Sequence, residues 1–174
     1  EAAFAQLSAS AGYVLPVGAQ VDGRGVVLPL YPLPAFGKGA TLGHAHFVPD
    51  ADGQVRSVHL REAGLPALAL AMREAQGAPP GLGPVGPRSA DDRAVAAGAW
   101  PVEQRRLLPA MAAPPLRVAA SALLRGEVPE GRLGGKAILV GVTAGGLGDR
   151  HPSALLGGVS DAALPGVHLH AVMH

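Results

Sequence analysis

The chain has 174 residues, of which 48% are hydrophobic and 16% charged, so its length and composition fit one globular domain and exclude a disordered chain. Its 14 basic and 13 acidic residues are scattered and only 3% of residues are aromatic, so a nucleic-acid partner is not expected. The chain has no cysteine, and no apolar run of about 18 residues that would predict a membrane-spanning helix.

The first third of the chain is predicted to contain one helix followed by four strands. Glycine and proline residues separate the apolar segments that favour strands. The predicted helix covers residues 1–10, and the strands lie at 12–17, about 25–31, about 42–48 and about 54–60.

A β-hairpin over about 42–60 is predicted from the turn sequence PDADG between the third and fourth strands. Gly53 accepts the positive φ that an Asp-Gly turn requires. A calcium loop starting at Asp50 is the alternative, but such a loop closes with a bidentate Glu at its twelfth position. That position is Arg61, whose charge is wrong for the ligand. The turn is therefore favoured.

Three histidines are predicted to share one face of this hairpin. The strand period of two places His44, His46 and His59 together on the less apolar face. Three neighbouring imidazoles form a weak candidate zinc cluster. No metal is favoured, because polar sheet faces are far commoner than metal sites.

The remainder of the chain predicts helices alternating with one buried strand. Together with the hairpin, these elements predict an α/β or α+β domain with a mixed sheet and flanking helices. The elements expected are a helix within 65–76, an irregular segment at 78–115 with a short strand near Trp100, a short helix at 118–126, a buried parallel strand at about 136–142, and a strand from Val167.

A glycine-rich loop after the predicted strand 136–142 is the candidate ligand site, because α/β sheets bind ligands where their strands end. Nucleotide fingerprints fail here, since His151 occupies the third glycine position of the dinucleotide motif. The residues expected to line the site are Thr143, Gly145, Gly146 and Asp149, with Arg56 as a charge partner.

Catalysis is not expected in this chain, and neither is a cofactor. It has no cysteine nucleophile and lacks the common serine-hydrolase and zinc-protease motifs. The one local string with triad residue types is Asp149, His151 and Ser153, whose spacing rarely gives the required geometry. Two alternatives to a ligand-binding role stay open: a structural or dimerisation module, and a cytoplasmic nucleotide-binding α/β domain.

Three ordered blocks of the sequence resemble the CHASE domain of the second type, an extracellular sensory domain of bacterial membrane signalling proteins. Ala67 and His151 depart from the family pattern, which has serine and threonine there. The matching blocks are GHAHFVPDADGQVRSVHL with Gly43, Asp50, Asp52, Gly53 and Arg56; residues 118–149, which include GGKAILVGVTAGGLGD; and LPGVHLHA with Pro165, Gly166, Val167, His170 and Ala171.

The resemblance implies that residues 1–174 are a single sensory domain, truncated at its N-terminus, in the periplasmic or extracellular part of a bacterial inner-membrane protein. Its partner would be an unknown small-molecule or environmental signal, and a homodimer is possible. The membrane would be reached only through flanking segments. The output would be a diguanylate cyclase or phosphodiesterase, an adenylate cyclase, or a protein kinase.

Overall fold

The computed structural model describes residues 12–24, 27–37, 39–77, 102–108, 115–144, 146, 149–153 and 163–174. These residues form a mixed α/β structure, as predicted. The predicted helix at 1–10 lies outside them, as does Trp100. The elements are β1 (Val14–Val21), β2 (Val27–Leu30), α1 (Pro34–Gly37), β3 (Thr41–His44), β4 (Ser57–Glu62), β5 (Leu65–Pro66), α2 (Leu68–Ala75), β6 (Val102–Leu107), α3 (Ala120–Leu124), β7 (Arg150–Pro152), β8 (Ala163–Pro165) and α4 (Gly166–Met173).

The first sheet has the strand order β2-β1-β3 and confirms the first two predicted strands. β1 is antiparallel to β2 and parallel to β3, with Val17 opposite His44. Helix α2 crosses β3 so closely that a Cβ on Gly43 would lie 2.7 Å from Leu68 Cα. Only glycine therefore fits at this crossing. The helix starts three residues later than the predicted 65 because Leu65 pairs with Glu62 in β5 instead.

The second sheet has the order β5-β4-β6, and it shows that the predicted hairpin at 42–60 is wrong. The turn itself is present, since Gly53 has φ 79° and the Asp50 amide donates to the Gln54 carbonyl at 2.8 Å. The strands on either side pair elsewhere, β3 with β1 and β4 with β5 and β6. A turn reverses the chain, but longer-range contacts decide which strands pair.

The predicted buried parallel strand at 136–142 is also wrong. The segment belongs to no strand, and in the described part of the chain no other strand pairs with it. Ile138 is 53% exposed, Val140 91% and Val142 52%. An apolar run predicts burial, but a strand also needs a neighbouring backbone for its hydrogen bonds. The short helix predicted at 118–126 is confirmed by α3.

The predicted strand from Val167 is a helix, α4, which follows the two-stranded sheet of β7 and β8. Gly166, Leu169 and His170 are buried, and Met173 packs against the core. Their spacing is that of one helical face. The core that this face joins comprises Phe47, Val55, Val58, Ala67, Leu70, Leu108, Leu164 and Leu169.

Candidate functional site

A buried carboxylate, Glu62 at the end of β4, lies at the centre of the histidine cluster. Its Oε1 accepts a hydrogen bond from His59 Nδ1 at 2.7 Å, and its Oε2 accepts one from His46 Nδ1 at 2.8 Å. Burial raises the pKa of Glu62, but these two hydrogen bonds outweigh it and lower the pKa to about 2. The carboxylate is therefore ionised at neutral pH, and each imidazole donates to it through Nδ1–H.

His44 is fully buried beside this carboxylate. Its Nε2 donates to the backbone carbonyl of His59 at 3.0 Å, which leaves Nδ1 as the unprotonated nitrogen. Within the described residues this Nδ1 is buried and has no hydrogen-bond partner. Burial lowers the pKa of His44 to about 4, although the charge of Glu62 acts in the opposite direction. At neutral pH His44 is neutral.

His170 brings helix α4 to the same region. Its imidazole is 4% exposed, and its ring centroid lies 4.6 Å from that of Phe47. The backbone of Ala45 hydrogen-bonds the imidazole, while Nδ1 is buried without a partner among the described residues. Burial lowers the pKa of His170 to about 3, and the charge of His44 lowers it further. His170 is therefore also neutral at pH 7.

The structure brings together the three histidines predicted to share a face, but as a carboxylate-linked cluster. His44 and His59 are buried, and His46 is 17% exposed. No group of three or more metal-ligating side chains in the described ranges has a geometry that could hold a metal ion. The sequence analysis did not identify Glu62, although an acidic residue three positions after His59 could have indicated a partner for the histidines.

The aspartates of the turn form ion pairs with two arginines. Arg56 donates to Asp50 at 3.0 Å and to Asp52 at 2.6 Å, and Arg105 from β6 also binds Asp50. Arg105 further contacts the hydroxyl of Ser57 at 2.5 Å. The carboxylates that a calcium ion would need are thus paired with guanidinium groups. Arg56, predicted as a charge partner for a ligand, has these two carboxylates as partners.

The last residue of the predicted ligand loop, Asp149, contacts the N-terminus of α4. The carbonyl of Asp149 accepts a hydrogen bond from the Gly166 amide at 3.1 Å, and its carboxylate lies against the Cα of Gly166. Earlier in the same segment, a Cβ on Gly141 would lie 2.6 Å from Val167 Cβ. Thr143 and Gly146 are exposed nearby in sequence, and Gly145 lies outside the described residues. Ligand binding at this loop stays a prediction.

The string Asp149, His151 and Ser153 does not have the geometry of a triad. His151 Nε2 lies 3.3 Å from Asp149 Oδ1, but the Ser153 hydroxyl is buried and donates to the Val55 carbonyl at 2.8 Å. The serine side chain therefore holds β7 against the core.

Comparison with known proteins gives one match. The family described as the CHASE2 domain matches residues 1–174. No curated protein and no solved structure matches the chain. Among the described residues, no helix is long and apolar enough to cross a membrane.

Proposed function

The chain belongs to the CHASE2 family, whose domains are extracellular sensory domains of signalling proteins, and we propose that it receives the stimulus for a bacterial transmembrane signalling protein. In this proposal the chain lies on the periplasmic or outer side of the inner membrane. It performs no catalysis of its own and controls a cytoplasmic output. The candidate outputs are a diguanylate cyclase or phosphodiesterase, an adenylate cyclase, and a protein kinase.

The observation that carries the proposal is the way α4 is held. Three of its residues contact other parts of the chain: His170 lies against Phe47, Val167 against Gly141, and Gly166 against Asp149. At the other end of the helix, Arg73 of α2 donates to the His174 carbonyl at 2.7 Å. A change in the core or in the loop at Asp149 therefore acts directly on the position of α4.

Signalling in this account is a shift between two packings of α4. A stimulus produces such a shift only if it interacts more favourably with one packing than with the other. A small ligand bound at Thr143, Gly146 and Asp149 would meet this condition, because Asp149 contacts the first residue of α4. The sequence-based prediction also includes Gly145, which lies outside the described residues, and Arg56, which pairs with Asp50 and Asp52 in the structure.

A thermal-shift screen against small metabolites, metal ions and nucleotides tests ligand binding. A compound that binds only the folded chain raises its Tm. We expect the NMR shifts caused by such a compound to map to residues 143–149 and to Gly166, and Asp149→Asn to weaken binding. Shifts confined to surfaces remote from this loop would contradict the proposed site. A nucleotide hit at another surface would favour the nucleotide-binding alternative.

A second candidate function, dimerisation, is favoured by the exposed apolar side chains of Ile138, Val140 and Val142. Exposed apolar patches of this kind mark interaction surfaces. Sedimentation of the purified chain tests it: a dimer that Val140→Asp converts to a monomer would support this role. A monomer at all concentrations would exclude it.

A further inference from the structure

We propose that Glu62 and the histidines around it form a proton-binding site that controls the docking of helix α4 on the core. This inference rests on the proposed function only for its consequence in signalling, since the docking itself is a property of the chain. The residues of the site are Glu62, His59, His46, His44 and His170.

The site connects α4 to the interior of the second sheet. Glu62 binds His59, the His59 carbonyl binds His44, and the backbone of Ala45, next to His44, hydrogen-bonds His170, whose pKa the charge of His44 lowers. His170 lies on the buried face of α4, next to the buried Leu169. A proton bound by any of these side chains therefore changes the charge of the groups against which α4 packs.

Glu62 balances positive charge on one side of the site only. Its carboxylate raises the pKa of His44 and accepts hydrogen bonds from His46 and His59. It is not among the groups that shift the pKa of His170. The charged groups that act on His170 are His44 and His151, which both repel a proton. The backbone of Ala45 favours protonated His170, but burial outweighs this contact, so the protonated imidazole is more stable in water than in the docked state.

Among the described residues, the other elements around the site present mainly basic groups, and Asp149, at the N-terminus of α4, hydrogen-bonds His151. On β6, Arg105 is opposite His59 in the strand register and binds Asp50. On β7, His151 packs edge-on against Phe47. On α2, Arg73 donates to the His174 carbonyl, and on α4 itself the pKa of His168 is lowered by partial burial and by the charges of Arg117 and Arg150. Acidification thus adds positive charge to a site whose one buried carboxylate, among the described residues, is already shared by two imidazoles.

The direction of the effect follows from linkage. The pKa of His44 is lowered to about 4 and that of His170 to about 3, whereas an exposed histidine titrates near 6.5. Protons therefore bind the undocked state preferentially, and docking weakens as pH falls below 6.5. Between pH 7.5 and 5.5 each histidine that becomes exposed raises the opening equilibrium about tenfold. Glu62, with a pKa of about 2, stays ionised throughout this range.

Amide hydrogen exchange of the purified chain between pH 7.5 and 5.5 tests the proposal. After correction for intrinsic exchange, the protection of the amides of α4 is expected to fall about 100-fold, because two histidines become exposed. His170→Gln is expected to reduce this fall to about tenfold. His168→Gln, on the same helix but outside the site, is the matched control: partial burial also lowers the pKa of His168, so this variant is expected to reduce the fall, but less than His170→Gln does. Equal falls in all three proteins would overturn the proposal.

Two further measurements use the wild-type chain, so they do not require that a variant folds. Low urea concentrations should leave α4 exchange at pH 5.5 unchanged, because a local opening exposes little surface. A urea dependence equal to that of global unfolding would overturn the proposal. So would imidazole NMR signals of His44 and His170 that titrate near pH 6.5 while α4 stays protected. Because these tests use the chain without a membrane or output domain, their failure would leave the proposed signalling role standing.

Discussion

Oε1 of Glu62 lies 2.7 Å from Nδ1 of His59, and both side chains are buried. Glutamine offers one acceptor oxygen, so one of the two imidazole N–H groups that Glu62 accepts from would lose its hydrogen bond to a charged partner. We expect Glu62→Gln to lower the free energy of unfolding by about 1.5–3 kcal/mol at pH 7, measured by urea denaturation. The control is Glu74→Gln, since the Glu74–Arg61 pair is exposed and should contribute less than about 1 kcal/mol. Equal losses in the two variants would contradict the role of Glu62.

The same carboxylate predicts the acid limb of the stability curve. The pKa of Glu62 is lowered from 4.5 to about 2, so its contribution is complete above pH 4.5 and is lost as pH falls towards 2. The buried His44 begins to reduce stability earlier, below pH 6.5. Urea denaturation between pH 7 and 3 should show both declines for the wild type. Glu62→Gln should lose the lower one, and parallel curves below pH 4.5 would show that Glu62 does not cause it.

The glycine at the crossing of β3 and α2 gives a second stability prediction. A Cβ on Gly43 would meet the backbone of Leu68, which cannot move without displacing the helix. We expect Gly43→Ala to lower the free energy of unfolding by about 1–3 kcal/mol in urea denaturation. Gly18→Ala in β1 is the control, because a Cβ there makes only ordinary contact with Leu30, at 3.6 Å. A Gly43→Ala chain as stable as that control would show that the crossing is loose.

The two aspartates of the turn are predicted to contribute differently to the stability of the chain. Asp50 binds arginines from two segments, Arg56 and Arg105, whereas Asp52 is exposed and accepts hydrogen bonds from Arg56 and the Gln54 amide of the same turn. We expect Asp50→Asn to cost about 2 kcal/mol of unfolding free energy. Asp52→Asn should change the Tm much less, because its ion pair is screened by water. A larger fall in Tm for Asp52→Asn would reverse this order.

Local chemistry was readable from the sequence, but strand pairing was not. The Asp-Gly turn and the helix at 118–126 follow from a few adjacent residues and are confirmed. The pairing of Ser57 with Leu107 joins residues 50 apart, and no short-range pattern contains that information. The apolar run at 136–142 has the composition of a buried strand, but composition does not show which strand it would pair with, and its large side chains are exposed.

The candidate site was predictable in part for the same reason. The strand period brought His44, His46 and His59 to one region, which the structure confirms even though the hairpin does not form. His170 joins them from α4, over 100 residues away, and only tertiary packing reveals that. The motif residues Gly43, Asp50 and Gly166 each have a packing or ion-pair reason in the structure. The resemblance therefore identified a fold more directly than a ligand.

The central claim is that the position of α4 carries the signal, and the output activity of the full-length protein in membranes tests it most directly. Gly141→Ala places a Cβ against Val167 Cβ and displaces the first turn of α4, whereas Gly134→Ala makes only ordinary contact with Gly131. The account predicts that Gly141→Ala changes basal output about fivefold or more and that Gly134→Ala does not. Wild-type output from a Gly141→Ala protein whose α4 is shown by hydrogen exchange to be displaced would contradict it.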